Sequence, residues 1–476
     1  MLASLVVAAP AAAQSPACAG DLGSLPTPKA GAHPLTFGIY PGGLAGQVVG
    51  PPADPKPDDP AKILGALGQL RGGSRPFVLH LYLEWNGTGD REQRVREAEA
   101  LIDRYTSRGY AVEYVLTYRP RARRGEPDVR EFVAFTRAMV RRLGPELKSL
   151  QVMNEVNNGL SPDASDGAYP GARDALPRAI IAAGDEKRRL DLSRLEIGMN
   201  WFYRLTPDHE YEFWSELGRK GGPALARSLD WVGLDAYPGT FFPPGSRYRE
   251  SMANAMSALR ECYMPLAGLG PEIPIHIAEN GYPTGPGRSY EEQASALEQM
   301  VRAVHDFRGN YNVTDYRWFD LRDGDSSNPN FQQQFGIMRD DYTPKPAYDV
   351  YRRLIEELGC ADRTPPRTTI QSARVRRGRL TVTGTATDSG CAGIRDVDVA
   401  VARPYRPRRC RFLTSDGGLL PQRPCRAPAM IRVEAASRWI LRVRLPRGRY
   451  RVTARGIDGA GNKERPTRPR VVRSRG

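Results

Sequence analysis

Between residues 35 and 358, short apolar runs alternate eight times with amphipathic helical stretches, and this pattern constrains the fold more than any other feature of the chain. The runs are Leu35–Tyr40, Pro76–Leu83, Ala111–Tyr118, Ser149–Asn154, Leu195–Asn200, Trp231–Tyr237, Ile273–Ala278 and Asp315–Asp320. Helical segments such as Arg91–Arg108, Val129–Arg142, Tyr290–Phe307 and Ala347–Glu357 lie between them. Strands joined by helical crossovers pair in parallel, and eight such units at this length match a (β/α)8 barrel. An open doubly wound sheet shares the alternation. Its dinucleotide-binding form is disfavoured because no Gly-x-Gly-x-x-Gly follows the first run.

Past Leu358-Gly-Cys360 the pattern changes. The joint Arg363-Thr-Pro-Pro-Arg-Thr-Thr369 reads as a linker. Beyond it, runs such as Leu380-Thr-Val-Thr-Gly-Thr-Ala and Trp439-Ile-Leu-Arg-Val-Arg-Leu alternate with period two, as short antiparallel strands of a sandwich do. The expected division is therefore an N-terminal segment (14–34), a barrel domain (35–360), a linker (361–369), a small β-sandwich (370–465) and a disordered basic tail (466–476). Residues 1–13, Met1-Leu-Ala-Ser-Leu-Val-Val-Ala-Ala-Pro-Ala-Ala-Ala13, have the apolar centre and small-residue end of a secretory signal remnant, so export is expected. No apolar run inside the chain is long enough for a transmembrane helix.

The six cysteines fit an oxidising compartment, with Cys410 and Cys425 placed to staple a hairpin. Five scattered His and no Cys-x-x-Cys argue against a structural zinc site, and neither metal nor cofactor is expected. Residues 367–476 hold 27 Lys and Arg against 7 Asp and Glu, a net of +20, so the rest of the +15 chain carries −5. The basic residues alternate with apolar ones, as in Leu441-Arg-Val-Arg-Leu445, which is how the solvent face of a strand looks. That makes specific nucleic-acid binding unnecessary, while attraction to an anionic polymer or cell surface stays open.

Two glutamates close runs 124 positions apart: Glu155 in Ser149-Leu-Gln-Val-Met-Asn-Glu155, and Glu279 in Ile273-Pro-Ile-His-Ile-Ala-Glu279-Asn-Gly281. Parallel α/β folds put their chemistry at the C-terminal ends of strands, and a carboxyl pair there is what glycosidic-bond cleavage requires. Asn154-Glu155 after the fourth run and Glu279 after the seventh resemble the motif of clan A glycoside hydrolases, retaining (β/α)8 enzymes of the cellulase-like and β-xylosidase-like families. Gly233-Leu-Asp-Ala-Tyr237-Pro, Trp318 and the segment from Phe335 to Tyr348 agree with it. The resemblance spans about two-thirds of the chain and implies Glu155 as acid/base, Glu279 as nucleophile and Asn154 on the sugar 2-hydroxyl. It also implies Tyr237 as donor to the nucleophile and Trp318 as floor of the sugar subsite.

The chain departs from the family where cellulase-like members carry an Arg on the second strand and a His on the third. Here the second run reads Leu79-His-Leu-Tyr-Leu-Glu84-Trp85, and Asp235 stands where many have a His. Tyr40, Trp85, Trp201 with Phe202, and Tyr282 are further candidates to line a sugar cleft, since ring faces stack on sugar C–H faces. Asp320-Leu-Arg-Asp323-Gly-Asp325 fails the spacing of a calcium loop and reads as a turn after the eighth strand, with reach toward a distal subsite. The tail domain resembles bacterial immunoglobulin-like modules through Gly384-Thr-Ala-Thr-Asp388 and the stretch Gly448 to Asn462. The resulting expectation is an exported, cofactor-free retaining hydrolase of β-linked oligo- or polysaccharides. Its alternatives are a transglycosylase using the same residues and a non-catalytic polysaccharide- or envelope-binding protein on the same scaffold.

Overall fold

A computed structural model describes residues 18, 22–32, 34–43, 54–73, 75–89, 91–204, 206–241, 247–434 and 437–475. The signal remnant expected over residues 1–13 lies outside them. Eight parallel strands close a barrel in chain order. They are β1 (Thr36–Ile39), β2 (Phe77–Trp85), β3 (Ala111–Tyr118), β4 (Ser149–Val152), β5 (Glu196–Phe202), β6 (Trp231–Ala236), β7 (Ile275–Asn280) and β8 (Val313–Trp318). β1 pairs with both β2 and β8, which seals the ring.

The outer layer consists of α1 (Pro60–Arg71), α2 (Arg91–Thr106), α3 (Glu126–Arg142), α4 (Ala172–Arg189), α5 (Pro207–Ala226), α6 (Tyr248–Ser257), α8 (Tyr290–Tyr311) and α9 (Pro346–Leu358). A π-helical turn over Ala258–Tyr263 joins α6 to the single turn α7 (Met264–Leu266). Local sequence sets the helix ends. Asp59 accepts from the Ala61 and Lys62 amides ahead of Pro60, and Gly72 closes α1 in the left-handed conformation at φ 59°. Ser289 caps α8 through the Glu292 amide.

Parity along each strand decides which side chains enter the barrel. On β2, His80, Tyr82 and Glu84 point inward, while Leu79, Leu81, Leu83 and Trp85 pack under the helices. The interior is polar at its lower end, where Glu113, Ser149, Arg317, His80, His276 and Asp315 meet. Trp231, the first residue of β6, stacks on His276 at the same end and fills the section opposite Gly198, where a Cβ would overlap the indole ring.

The C-terminal unit is an antiparallel β-sandwich. One sheet runs β15 (Arg438–Arg444), β10 (Arg379–Thr387), β9 (Arg367–Arg376). The other runs β13 (Arg423–Pro424), β12 (Arg409–Phe412), β11 (Ile394–Arg406), β16 (Gly448–Asp458), β17 (Arg470–Ser474), with β14 (Ile431–Glu434) also on β11. Leu380, Val382, Val399, Val401, Trp439 and Tyr450 are among the core residues between them.

Two expectations need correction. The segment 466–476, read as a disordered tail, contributes β17, which pairs with β16 from Gly448↔Ser474 to Val452↔Arg470. Val472 and Ser474 turn inward while Arg470, Val471 and Arg473 stay exposed, so a basic sequence still supplies one buried face. The linker is shorter than the span 361–369, because β9 begins at Arg367.

All six cysteines pair: Cys18–Cys262, Cys360–Cys391 and Cys410–Cys425. The last is the hairpin staple expected from spacing. Cys360–Cys391 joins the end of the barrel to the sandwich, and Arg194 adds an ion pair to Asp396 across the same junction at 3.1 Å. The turn after β8 has a structural role: Asp323 is fully buried 2.8 Å from Lys345, Arg322 reaches Asp58 at 2.7 Å, and neither lines the cleft. No helix among the described residues is long and apolar enough to cross a membrane.

Candidate active site

β4 ends at Val152, and the chain then turns sharply through Met153 (φ 65°) and Glu155 (φ 46°), both in the left-handed region. Non-glycine residues hold that conformation only when their surroundings fix it. Here three backbone amides are held. Met153 donates to the Leu116 carbonyl at 2.9 Å, Asn154 to Asp166 Oδ2 at 2.9 Å, and Glu155 to Asn200 Oδ1 at 2.8 Å. Asp166 also accepts from the Tyr118 amide at 2.7 Å; burial pushes its carboxyl up to about 7 against the pull of Arg119. The turn aims the Glu155 side chain into the mouth of the barrel.

Glu279 arrives from the opposite side, on β7 beside Asp235 of β6. One carboxylate oxygen each from Glu155, Asp235 and Glu279 lies within 4.8 Å of the others. The environments of the two glutamates differ. Glu155 Oε2 accepts from Ser165 Oγ at 2.5 Å; burial, and then the charge of Glu279, push the Glu155 carboxyl up to about 8. Glu279 accepts at both oxygens, from the Tyr82 hydroxyl at Oε1 and from the Tyr237 hydroxyl at Oε2, 2.5 Å away. Acceptance at both oxygens is the pattern of an ionised carboxylate.

Asp235 is fully buried. Its Oδ2 accepts from Asn200 Nδ2 and its Oδ1 has no partner. Burial, then Glu279 and Glu155, hold its carboxyl well above the usual range. Three carboxyl groups this close cannot all ionise, and the proton-bearing ones are Asp235 and Glu155. The same cluster has the spacing of a cation site.

Of the residues expected at the site, Glu155, Glu279, Asn154, Tyr237 and Tyr40 line one cleft of about 740 Å³. Asn154 is held by its neighbours: Nδ2 donates to the Ala164 carbonyl at 2.9 Å and Oδ1 accepts from Asn200 at 2.8 Å. Three tryptophans are not there. Trp318 is fully buried in the layer between barrel and helices, and Phe319, one residue on, takes the place in the cleft. Trp85 stacks on Tyr118 at 5.5 Å and packs on Phe132, beneath α3. Trp201 packs against Trp214 and Tyr263 and donates to Glu210 at 2.5 Å, while Phe202 faces inward. Tyr282 is buried against Tyr248 and is not part of the lining. In each strand the reason is parity: of two adjacent residues only one can face the axis.

Sequence reasoning missed Tyr82, Phe319, Ser165 and Asn200. It also missed an aromatic wall in which Tyr40 stacks on Phe319 at 5.3 Å, with Phe335, Phe241 and Phe331 continuing the ring contacts. The alternation His80-Leu-Tyr82-Leu-Glu84 carried the signal for Tyr82, since polar residues at every second position mark the inward face.

No protein-family model matches the chain, and no curated protein sequence does. Solved structures similar to it include a family 39 glycoside hydrolase from Bacteroides cellulosilyticus, at 13% identity over 86% of this chain and 80% of that one, TM-score 0.47. A β-glycosidase from Thermosphaera aggregans shares 15% identity over 70% and 98%, TM-score 0.47. A β-glucosidase from Thermotoga maritima shares 14% over 62% and 85%, TM-score 0.47. At such identities these neighbours assign no residue role in this chain.

Proposed function

We propose that this protein is a retaining glycoside hydrolase that cleaves β-linked sugars with Glu279 as nucleophile and Glu155 as acid/base. One observation carries the reading: Glu155 and Glu279 oppose oxygens within 4.8 Å, in environments that keep a proton on the first and both acceptor oxygens engaged on the second. Retaining enzymes hold their carboxyl groups about 5–5.5 Å apart, whereas inverting ones leave about 6.5–9.5 Å for a water between them. An oxygen pair within 4.8 Å supports the retaining side of that division.

In the first step a Glu279 oxygen attacks the anomeric carbon, the bond to the leaving oxygen breaks, and Glu155 gives that oxygen its proton. In the second, water loses a proton to the Glu155 carboxylate and attacks the same carbon, releasing Glu279 and restoring the acid. Tyr40, Phe319 and Phe335 offer ring faces to the apolar sides of the sugar. None of these steps calls for a cofactor.

Export is part of the proposal, supported by three disulfides, which persist in oxidising compartments. The immunoglobulin-like character of the sandwich and its attraction to anionic polymer are proposed from its sequence and charge. The test is sugar release from a panel of aryl β-glycosides and β-linked polysaccharides by wild type and Glu279→Gln. A 2-deoxy-2-fluoro aryl glycoside should then trap an ester on Glu279, read by peptide mass. Release that survives the substitution, or a label on another residue, overturns the assignment.

A further inference from the structure

Beneath the proposed nucleophile a line of hydrogen bonds descends into the barrel. Tyr82 donates its hydroxyl proton to Glu279 Oε1, and its oxygen lies 2.9 Å from Nε2 of His80. A tyrosine has one proton to donate. With that proton spent on Glu279, the phenolic oxygen can only accept, so Nε2 of His80 is the donor. Nδ1 of the same ring lies 2.8 Å from Oε1 of Glu113.

Glu113 is wholly buried, and its Oε2 accepts from Ser149 Oγ at 2.5 Å and from Arg317 Nη2 at 3.3 Å. Burial alone would keep it protonated; the Arg317 charge leads the interactions that oppose burial, and the carboxyl is held well below the usual carboxylate range. An ionised Glu113 only accepts, so Nδ1 also donates. Both ring nitrogens of His80 therefore carry protons, which makes the ring an imidazolium.

We infer that His80 is a positioning residue, fixed as the imidazolium by Glu113, whose charge acts through Tyr82 to keep Glu279 ionised as the medium becomes acidic. The inference rests on Glu279 being the nucleophile. His80 Nε2 lies 3.9 Å from Glu279 Oε1, too long for a hydrogen bond but close enough for a buried charge to act.

The other charged and titratable groups around this line come from five strands. β8 supplies Arg317 and Asp315, and β7 supplies His276, whose Nε2 is 3.3 Å from Asp315. His276 Nδ1 is 3.9 Å from Glu113 and makes no bond to it. Lys148, just before β4, reaches Asp315 at 3.3 Å, and Glu196 at the start of β5 pairs with Lys148 at 2.7 Å. Above, Asp235 of β6 and Glu155 after β4 face Glu279. Among these, the imidazolium is the cation nearest the nucleophile. Tyr82 separates the two, so the charge stabilises Glu279 without forming an ion pair that would blunt its attack.

The experiment has two arms on the full-length protein. In ¹⁵N-histidine NMR, wild type is expected to show one ring with both nitrogens protonated at neutral and mildly alkaline pH, lost in His80→Gln. In kcat/KM–pH profiles on an aryl β-glycoside, Tyr82→Phe and His80→Gln are expected to move the acid limb to higher pH. Rates on that limb then fall about tenfold for each unit moved. Tyr82→Phe keeps the ring and the fold, so it stands if His80→Gln fails to fold.

A neutral His80 ring in wild type overturns the inference whatever the activity. Lowered kcat with an unmoved limb in Tyr82→Phe also overturns it, by leaving only a structural role. A protein inactive on every glycoside sinks the glycosidase reading and with it the nucleophile's part in the relay, while the NMR arm still decides the state of His80.

Discussion

The Ser165 hydroxyl donates to Oε2 of Glu155 from 2.5 Å, and it does so to the one carboxyl of the pair that burial keeps protonated. A hydrogen bond to the charged form favours ionisation, so Ser165 restrains a shift that burial and Glu279 drive upward. Two consequences for pH follow. The basic limb of kcat/KM is expected near pH 8, because above about 8 the acid loses the proton the leaving group needs. Ser165→Ala should move that limb further up. A limb that stays in place or moves down in Ser165→Ala would show that the serine does not act on the acid.

Phe319 and Trp318 separate binding from stability although they are neighbours. Phe319→Ala should raise KM with little change in thermal stability, because its ring lines the cleft. Trp318→Ala should cost about 3–5 kcal/mol of folding free energy, as large core truncations do. Denaturant titration and Michaelis kinetics on both variants check this, and the reverse assignment would return the tryptophan to the sugar subsite.

Lys345 and Asp323 form an ion pair with no exposure to solvent. Lys345→Met leaves a buried carboxyl without its cation and is expected to destabilise the protein by about 3–5 kcal/mol. Burial already pushes the Asp323 carboxyl up to about 6, against the pull of Lys345. Without the lysine the group takes up a proton at still higher pH, so the variant's deficit should be smaller in acid than at neutral pH. A deficit that is independent of pH would mean the lysine matters through packing alone.

The basic sandwich should be retained on an anionic polymer such as dextran sulfate and released by salt, since the charges lie on solvent-facing strand positions. The full chain is the species to use, because Cys360 pairs with Cys391 inside the sandwich. Retention that is absent, or unchanged by salt, removes the electrostatic proposal.

Much of the architecture was legible because period and position carry it. Alternating strands and helices indicated the barrel, and the polar ends of the fourth and seventh runs indicated Glu155 and Glu279. What was not legible is which side of an apolar strand faces the axis. Trp318 and Phe319, like Trp201 and Phe202, are adjacent aromatics in runs buried on both faces, where hydrophobicity holds no record of direction. Ser165 and Asn200 were invisible for another reason: their roles come from tertiary contacts to Glu155 made by segments 10 and 45 residues away in sequence. In the C-terminal unit arginine density masked β17, whose inward face amounts to Val472 and Ser474.

The Cys360–Cys391 bond also changes what a protease can accomplish. It closes a loop that contains the whole Pro-rich joint between the barrel and the sandwich. A single cut anywhere from residue 361 to 390 severs the polypeptide yet leaves the two domains covalently joined. In a degradative environment the protein would keep its basic module after such a nick, and would shed it only when that cleavage and reduction coincide.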